Sequence, residues 1–403
     1  MKKSIYGLAL LLAATSAQAV NQEIRALFTP DPAQPQRNIF VNKTPDSGYC
    51  ASYPDECKQQ NMFSIRVPVR FGPSSVIAPG AGVSIKVPAN WRQLTVTNRE
   101  TGESETVEVR IMGIGSNQLL SDTAANLVGV VDLREGHQKL WTSNSWVYAP
   151  APCGYSGVGV YTGATYRFFW KSPTEAPCTK VAAYRIPYMS FDTLDFAYEL
   201  RTPNPLGMSS GLYTGSMNYR LGPGLDFDIG GLAADDSNLT LDFVLDVQHT
   251  LKVTLPPGGN KVELVPEGGW PSWVHEGRKP NRLFRDQTFH ISASSRFKMM
   301  LECPIIYASN CIVQDEPARR YGVVELGVTL PNGLTDQSGR PVNRLPLKAG
   351  PENALYFAPS FYVDRGRGIL HFEIGQFWTD YMLSFDKGGD YYGAMTVIWD
   401  SEV

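Results

Sequence analysis

Charge is scarce in this chain, and histidine scarcer still. Of 403 residues, 19% are Asp, Glu, Lys or Arg, and only five are His. The charges nearly cancel, 36 basic against 39 acidic, for a formal charge of −3. A nucleic-acid binder that works by neutralising phosphates needs a basic face, so that class is excluded. Two catalytic signatures are missing as well: there is no HExxH and no GxGxxG. Gly154-Tyr155-Ser156-Gly157 lacks the second spacer of a nucleophile elbow. No CxxC occurs, and His137, His249, His275, His290 and His371 lie far from the cysteines in sequence, so neither a metal nor a cofactor is expected. Asp235-Asp236 reads as a solvated turn, because neighbouring strand residues point to opposite faces. No long segment carries a 3.6-residue period. Past the N-terminus, no run is apolar enough to cross a bilayer as a helix.

What is present suits an exported, loop-rich, all-β protein. Hydrophobic residues make up 43%, enough to bury a core, and the length suggests two domains. Lys2 and Lys3, the apolar run Ile5–Ala14 and the small-x-small site Ala17-Gln18-Ala19 form a signal peptide over residues 1–19. All six cysteines fall after it. An even count in an exported chain implies disulfides. The spacing suggests Cys50–Cys57, Cys153–Cys178 and Cys303–Cys311 among the fifteen connectivities open to six cysteines.

Period-two alternation dominates. Ile65, Val67, Val69 and Phe71 form one apolar set; Val83, Ile85 and Val87, then Leu94 and Val96, then Val107, Val109 and Ile111 form others. The longest set runs from Leu239 to Leu255 on one parity, His249 included. Seventeen residues is about three times an ordinary strand, so it divides into two strands near Asp246. That gives domains at 20–245 and 246–403. His249 then reads as a core or interdomain histidine. Further strands are expected at 261–265, 288–292, 296–303, 323–330, 369–374 and 391–399, and the whole pattern is that of β-sandwiches.

Two regions stand out as candidate sites. Trp141, Trp146, Tyr148, Tyr155, Tyr161, Tyr166 and Trp170 crowd thirty residues, many of them between Cys153 and Cys178. Aromatic faces stack on sugars, while Asn144 and Arg167 would orient hydroxyl or acidic groups; Phe168 and one of Tyr166 and Trp170 fall to the core by parity. Trp270 and Trp273 are a lesser candidate. The second region is the C-terminus, where Tyr391, Met395, Val397 and Trp399 share one parity, and Tyr392, Ala394, Thr396 and Ile398 the other, with four residues left before the end at Val403. An apolar edge of this kind aggregates unless a partner strand covers it.

The signal peptide, the two β-domains joined through one alternation, the segment Gly211–Tyr219, and the ending Gly-Gly-Asp-Tyr-Tyr-Gly-x-Met-Thr-Val-Ile-Trp-Asp together resemble the two-domain tip adhesins of chaperone–usher fimbriae, of the kind of the CS1-like pilus tip initiator-adhesins. The resemblance is architectural and strongest around 205–265 and in the last sixty residues. It implies two immunoglobulin-like sandwiches in tandem, the C-terminal one an incomplete pilin-type sandwich lacking its last strand. It also implies a periplasmic chaperone that holds the Val403 carboxylate and pairs with Tyr391–Trp399, an outer-membrane usher, and an adjacent pilin subunit that donates a strand. The N-terminal domain would bind a host surface glycan or protein, and the protein would travel through the periplasm to the fimbrial tip on the bacterial surface. Val20, Ile24, Ala26 and Phe28 alternate as either a donor arm or a first strand. The alternatives are a minor or assembly-initiating subunit without its own ligand, a soluble carbohydrate-binding module, and a secreted sandwich glycosidase with its carboxylates on distant strands.

Overall fold

The computed structural model describes residues 20–277, 279–384 and 388–401. The signal peptide and Val403 lie outside the described residues. Among these, strands dominate and fall into two sandwiches with separate cores.

In the first sandwich, strand Val20–Phe28 turns Ile24, Ala26 and Phe28 inward and runs parallel to Asn238–Val247, Val20 beside Leu239 and Phe28 beside Val247. The N-terminal alternation is therefore the sandwich's own strand and is fully used within it. Gly211–Arg220 lies antiparallel on the other side of Asn238–Val247, followed by Arg92–Asn98 and then Ser104–Leu120. That last strand is 17 residues long. Its first half pairs with 92–97 and its second with Thr165–Lys171, while Met189–Phe191 and Leu194–Arg201 take the opposite edge. A register shift at Ala197/Tyr198 bends the ladder, as a bulge does. A three-stranded sheet of Cys178–Val181, Gly82–Lys86 and Asp228–Ile229 packs on the same core.

The long alternation is interrupted at 248–250, between strands Asn238–Val247 and Leu251–Thr254, rather than at Asp246. His249 sits in the break. Its Nε2 lies 2.9 Å from the Met208 carbonyl of the first sandwich and its Nδ1 3.1 Å from Ser294 Oγ of the second.

In the second sandwich, one sheet runs in the order Leu251–Thr254, Leu283–Ala293, Val363–Ile374, Arg320–Thr329, Asn310–Asp315, Ile306–Tyr307. The facing sheet runs Leu334–Asp336, Leu355–Pro359, Phe297–Glu302, Thr396–Ser401. Between them lie Phe289, Ile291, Phe297, Met299, Leu326, Val328 and Phe357.

Two expected strands differ. Residues 261–265 form no strand; only Val265 bridges, to Phe284. The segment is hemmed by Pro257 and Pro266, which have no N–H to give a ladder. The stretch 391–399 is not one strand either. Tyr392 exchanges two backbone bonds with Gln314 on one sheet, and the chain then crosses to form Thr396–Ser401 on the other. The crossing passes Gly393 so close to the Ile312 carbonyl that a Cβ there would stand 2.6 Å away.

Short helices fill the loops, among them Tyr49–Ser52, Pro54–Gln59, Leu133–Lys139 and Gln376–Met382. At seven residues or fewer they are too short to show a helical period in sequence. Bridges join Cys50 to Cys57, Cys153 to Cys178 and Cys303 to Cys311, with Cα atoms 5.5–5.8 Å apart.

Candidate functional sites: a cationic centre and an open seam

The aromatic cluster of the first sandwich divides by depth. Trp141, Trp146 and Tyr166, expected at a binding surface, are buried, as are Phe168 and Trp170. Trp146 stacks on Trp170 with centroids 5.1 Å apart, and the Trp170 Nε1 donates to the Trp146 carbonyl. The reason they turn inward is visible in Lys180. This fully buried lysine, on strand Cys178–Val181, donates from Nζ to the carbonyls of Ser143, Asn144 and Ser145 at 2.9–3.0 Å and draws the 143–146 turn onto the core. Asn144 is exposed, but its Oδ1 caps the Ser145 N–H. Tyr148 and Tyr161 are exposed, and Tyr148 stacks on Tyr155 with centroids 5.7 Å apart. Trp270 is exposed on a short helix, Trp270–Glu276, and the Trp273 Nε1 donates to the Glu267 carbonyl.

Arg167 belongs to a different constellation. Gly113 and Gly115 of the long strand carry no side chain where the Phe169 ring lies; a Cβ on either would stand 2.6 Å from it. Phe169 thus seats on the outer face, Tyr49 stacks over it at 5.1 Å, and the Cys50–Cys57 helical turn is pinned above. That pinning places Ser52 and Tyr53 beside Arg167, whose Nη1 donates to Ser52 Oγ at 3.0 Å. Below, Asp195 is fully buried and accepts two bonds from Arg66, at 2.6 and 2.8 Å, while the Arg167 Nη2 stands 3.9 Å from it. Gly48, at φ 70°, lets the backbone pass over the carboxylate, where a Cβ would meet Oδ2 at 2.6 Å. One carboxylate therefore serves two guanidiniums, leaving one positive charge in excess. The Asp195 bonds raise the pKa of Arg66; burial first, and then Arg66, lower that of Arg167. The Arg167 Nε and Nη2 have no hydrogen-bond acceptor. Both arginines stay partly open, 32% and 21% exposed at the side chain, so the centre can attract an anionic group. Arg167 was legible from sequence; Arg66 and Asp195 were not, because three distant strands bring them together.

The second candidate lies in the other sandwich. Strands Leu251–Thr254 and Thr396–Ser401 are the end strands of the two sheets. They touch but share no ladder. Leu251 and Val253 on one side, and Met395, Val397 and Trp399 on the other, rest on the core only half-buried. Trp399 packs on Phe289 at 5.5 Å, and its Nε1 has no partner. Tyr391 is half-buried nearby and Tyr392 exposed. Lys298 and Asp400 clamp the last strand at 3.1 Å on its paired side. The result is a half-buried apolar seam between two end strands, each with its outer backbone edge unpaired.

One relay-like arrangement bears on catalysis. His371 stands between Asp286 Oδ1, at 2.7 Å, and Thr329 Oγ1, at 2.8 Å. The threonine hydroxyl also contacts Asn343 Oδ1 and accepts the Arg344 N–H, so it is a tie between three strands and a turn rather than a free nucleophile. Among the described residues no cluster of His, Cys, Asp and Glu could hold a metal, and no helix is long and apolar enough to cross a membrane.

No protein-family model matches the chain, and no curated protein sequence does. Among solved structures, it is similar to CfaE, the adhesive subunit of the CFA/I fimbria of enterotoxigenic Escherichia coli, at 10% identity over 96% of this chain and 95% of that one, with a TM-score of 0.27. It is similar to a chaperone–tip adhesin complex of CFA/I fimbriae biogenesis at 11% identity, over 96% and 97%, with a TM-score of 0.26. It is also similar to the CsuC–CsuE chaperone–tip adhesion subunit pre-assembly complex from the archaic Csu pili of Acinetobacter baumannii at 10% identity, over 95% and 99%, with a TM-score of 0.22. Scores this low give the similarity no weight of its own beside the geometry.

Proposed function

We propose that this protein is a non-catalytic tip adhesin of a chaperone–usher fimbria. The observation that carries the reading is the seam between Leu251–Thr254 and Thr396–Ser401, two edge strands left unpaired over an open core. A strand inserted there completes both ladders and covers Val253, Met395, Val397 and Trp399, at roughly 25 cal/mol per Å² of apolar surface. A periplasmic chaperone would fill the seam first, and an adjacent pilin subunit after exchange at the usher. Because Val20–Phe28 is consumed by the first sandwich, the chain has no arm to donate from that segment, which suits the end of a fibre. In this reading the receptor-binding domain, expected at 20–245, runs on to Val247, and the pilin domain begins after the break at 248–250, with the protein carried through the periplasm to the surface.

The Arg66–Arg167 centre favours an adhesin over a minor subunit without a ligand. It offers an excess positive charge, held rigidly and partly open, with Ser52 and Tyr53 at its edge, features that suit an acidic group on a host glycan or protein.

The test is thermal melting and oligomeric state of residues 20–403, with and without a peptide from the N-terminal arm of the pilin encoded beside it. A large rise in melting temperature with conversion to monomer supports the reading. A chain that is monomeric and equally stable without peptide refutes it. Binding of sialylated and neutral glycans by wild type and Arg167→Ala then separates the adhesin from the ligand-free subunit.

A further inference from the structure

His249 stands in the link at 248–250 and bonds to both sandwiches at once, and its partners fix where its hydrogen sits. The Met208 carbonyl, 2.9 Å from Nε2, can only accept, so Nε2 carries the hydrogen. Nδ1 of the neutral ring is then bare and must accept, and the Ser294 hydroxyl, 3.1 Å away, is its donor. Ser294 is fully buried. Its Oγ also accepts the Thr250 N–H at 2.9 Å, and its own N–H goes to the Thr250 carbonyl at 3.0 Å. The Phe28 ring closes one side of the imidazole, edge to face, with centroids 5.6 Å apart. Every hydrogen in this run of bonds, from the first sandwich to the second, has an acceptor while the ring is neutral.

A proton on Nδ1 breaks that order. The ring then has two N–H donors, and Ser294 must turn its own hydrogen away, inside the core, while still taking the Thr250 N–H. A half-buried cation beside a displaced hydroxyl is costly. The charges around the ring do not offset this cost. Glu103, in the turn between Arg92–Asn98 and Ser104–Leu120, and Arg296, in the turn before Phe297–Glu302, act on it in opposite directions. Tyr213 spends its hydroxyl on Glu103, and Asp246 holds the Gln248 amide at 2.9 Å. Burial is the largest influence and lowers the His249 pKa, with Arg296 adding to it, against the Met208 and Pro205 carbonyls and Glu103. Against its own burial, Glu103 is held below the ordinary carboxylate value by the Tyr213 hydroxyl and the Ser209 N–H, so it stays charged where the imidazole titrates.

We propose that His249 is an acid-released latch between the two sandwiches. Neutral, it clamps them at one angle; protonated, it lets go of Ser294 and the sandwiches swing about 248–250. A ring released into water takes its proton near 6.5, and the clamped ring only below that. Between these values the open form holds more protons than the closed one, so the latch is strongest above pH 6.5 and weakens as the pH falls. The latch belongs to the junction alone and does not depend on what either sandwich binds.

The test is single-molecule energy transfer between two dyes, one on each sandwich of residues 20–403, attached at unnatural amino acids so that the disulfides stay intact. Dilution keeps the chains apart, so the open seam does not interfere. The wild type should show one narrow distance at pH about 7.5, and its open fraction should rise at least about threefold by pH about 5.5, reversibly. In His249→Gln the amide donates to Met208 and accepts from Ser294 without titrating, so the narrow distance should persist at both pH values. His249→Ala should be broad at both. A wild-type distance that does not change with pH overturns the proposal. So does a His249→Gln chain that opens in acid as the wild type does, which would assign the response to another group. A narrow distance in His249→Ala at pH about 7.5 would show that the residue clamps nothing, and overturns it as well.

Discussion

In the first sandwich, Val20–Phe28 lies along Asn238–Val247 with all nine residues in register, and Ile24 and Phe28 have no exposed surface. In the second, Leu251–Thr254 and Thr396–Ser401 lie side by side with no ladder between them, and their inward residues are half-buried. The same period-two chemistry writes both. The difference lies in pairing: in the first sandwich the edge strand finds a full-length partner, and in the second the two end strands share none. An edge left open over a core is a hazard for a protein on its own and a socket for one that assembles.

The contrast can be broken by truncating matched residues. Phe28→Ala should cost about 3–5 kcal/mol, because the closed core cannot collapse around the hole. Trp399→Ala should cost roughly 1–2 kcal/mol in the bare chain, where the ring is only partly covered, and distinctly more with the arm peptide bound. Chemical denaturation with and without peptide reads both. Equal costs in the bare chain would mean that the second core is as closed as the first.

Asp195→Asn sharpens the cationic centre. It removes the counter-charge of two partly buried guanidiniums and should destabilise the first sandwich by about 3 kcal/mol, with the second unaffected. Separate melting transitions would show it.

Lys180→Met leaves the Ser143 and Asn144 carbonyls without a donor, while Ser145 keeps the Tyr148 N–H, and should cost about 2–3 kcal/mol. Burial pushes the lysine pKa down to about 8, below its unfolded value of 10.5. Between these values the unfolded chain holds a proton that the folded one has lost, so this residue's contribution to stability rises with pH across that window. The variant should lack the rise.

The smallest effect concerns the mature terminus. The Val20 nitrogen lies 3.0 Å from Asp236 Oδ2, so cleavage after Ala19 would place an ammonium against a carboxylate. Asp236→Asn should cost about 0.5–1 kcal/mol in a chain beginning at Val20, and less in one retaining Ala19. A matched pair of melting curves decides it.

Much of the fold was legible because alternation in a half-buried sheet is a local signal. The sets around Val67, Val83, Val96, Val109 and Leu241 all appear as strands or buried edges with the expected side inward. Where the sequence misled, something non-local decided. Trp141 sits at an isolated bridge to Ala182 and Trp146 in a turn, with no strand parity to follow, and a lysine thirty-odd residues away draws that turn inward. Arg66 and Asp195 read only as a polar residue between Ile65 and Val67 and a carboxylate in an apolar run; their pairing needs two strands brought edge to edge. The division of 391–399 follows from a close approach at Gly393 that no periodicity encodes. The seam was hinted at by an apolar strand placed almost at the end of the chain, but its second wall, Leu251–Thr254, came only with the topology.

The central claim is tested most directly by amide hydrogen exchange on the strands that flank the seam, 251–254 and 396–401, in the bare chain and with the arm peptide bound. The account predicts that both strands exchange faster than Val20–Phe28 when bare, and that both gain protection together when the peptide binds. If both are already as protected as Val20–Phe28 in the bare chain, or if the peptide protects neither, the second sandwich is complete as it stands and the account is wrong.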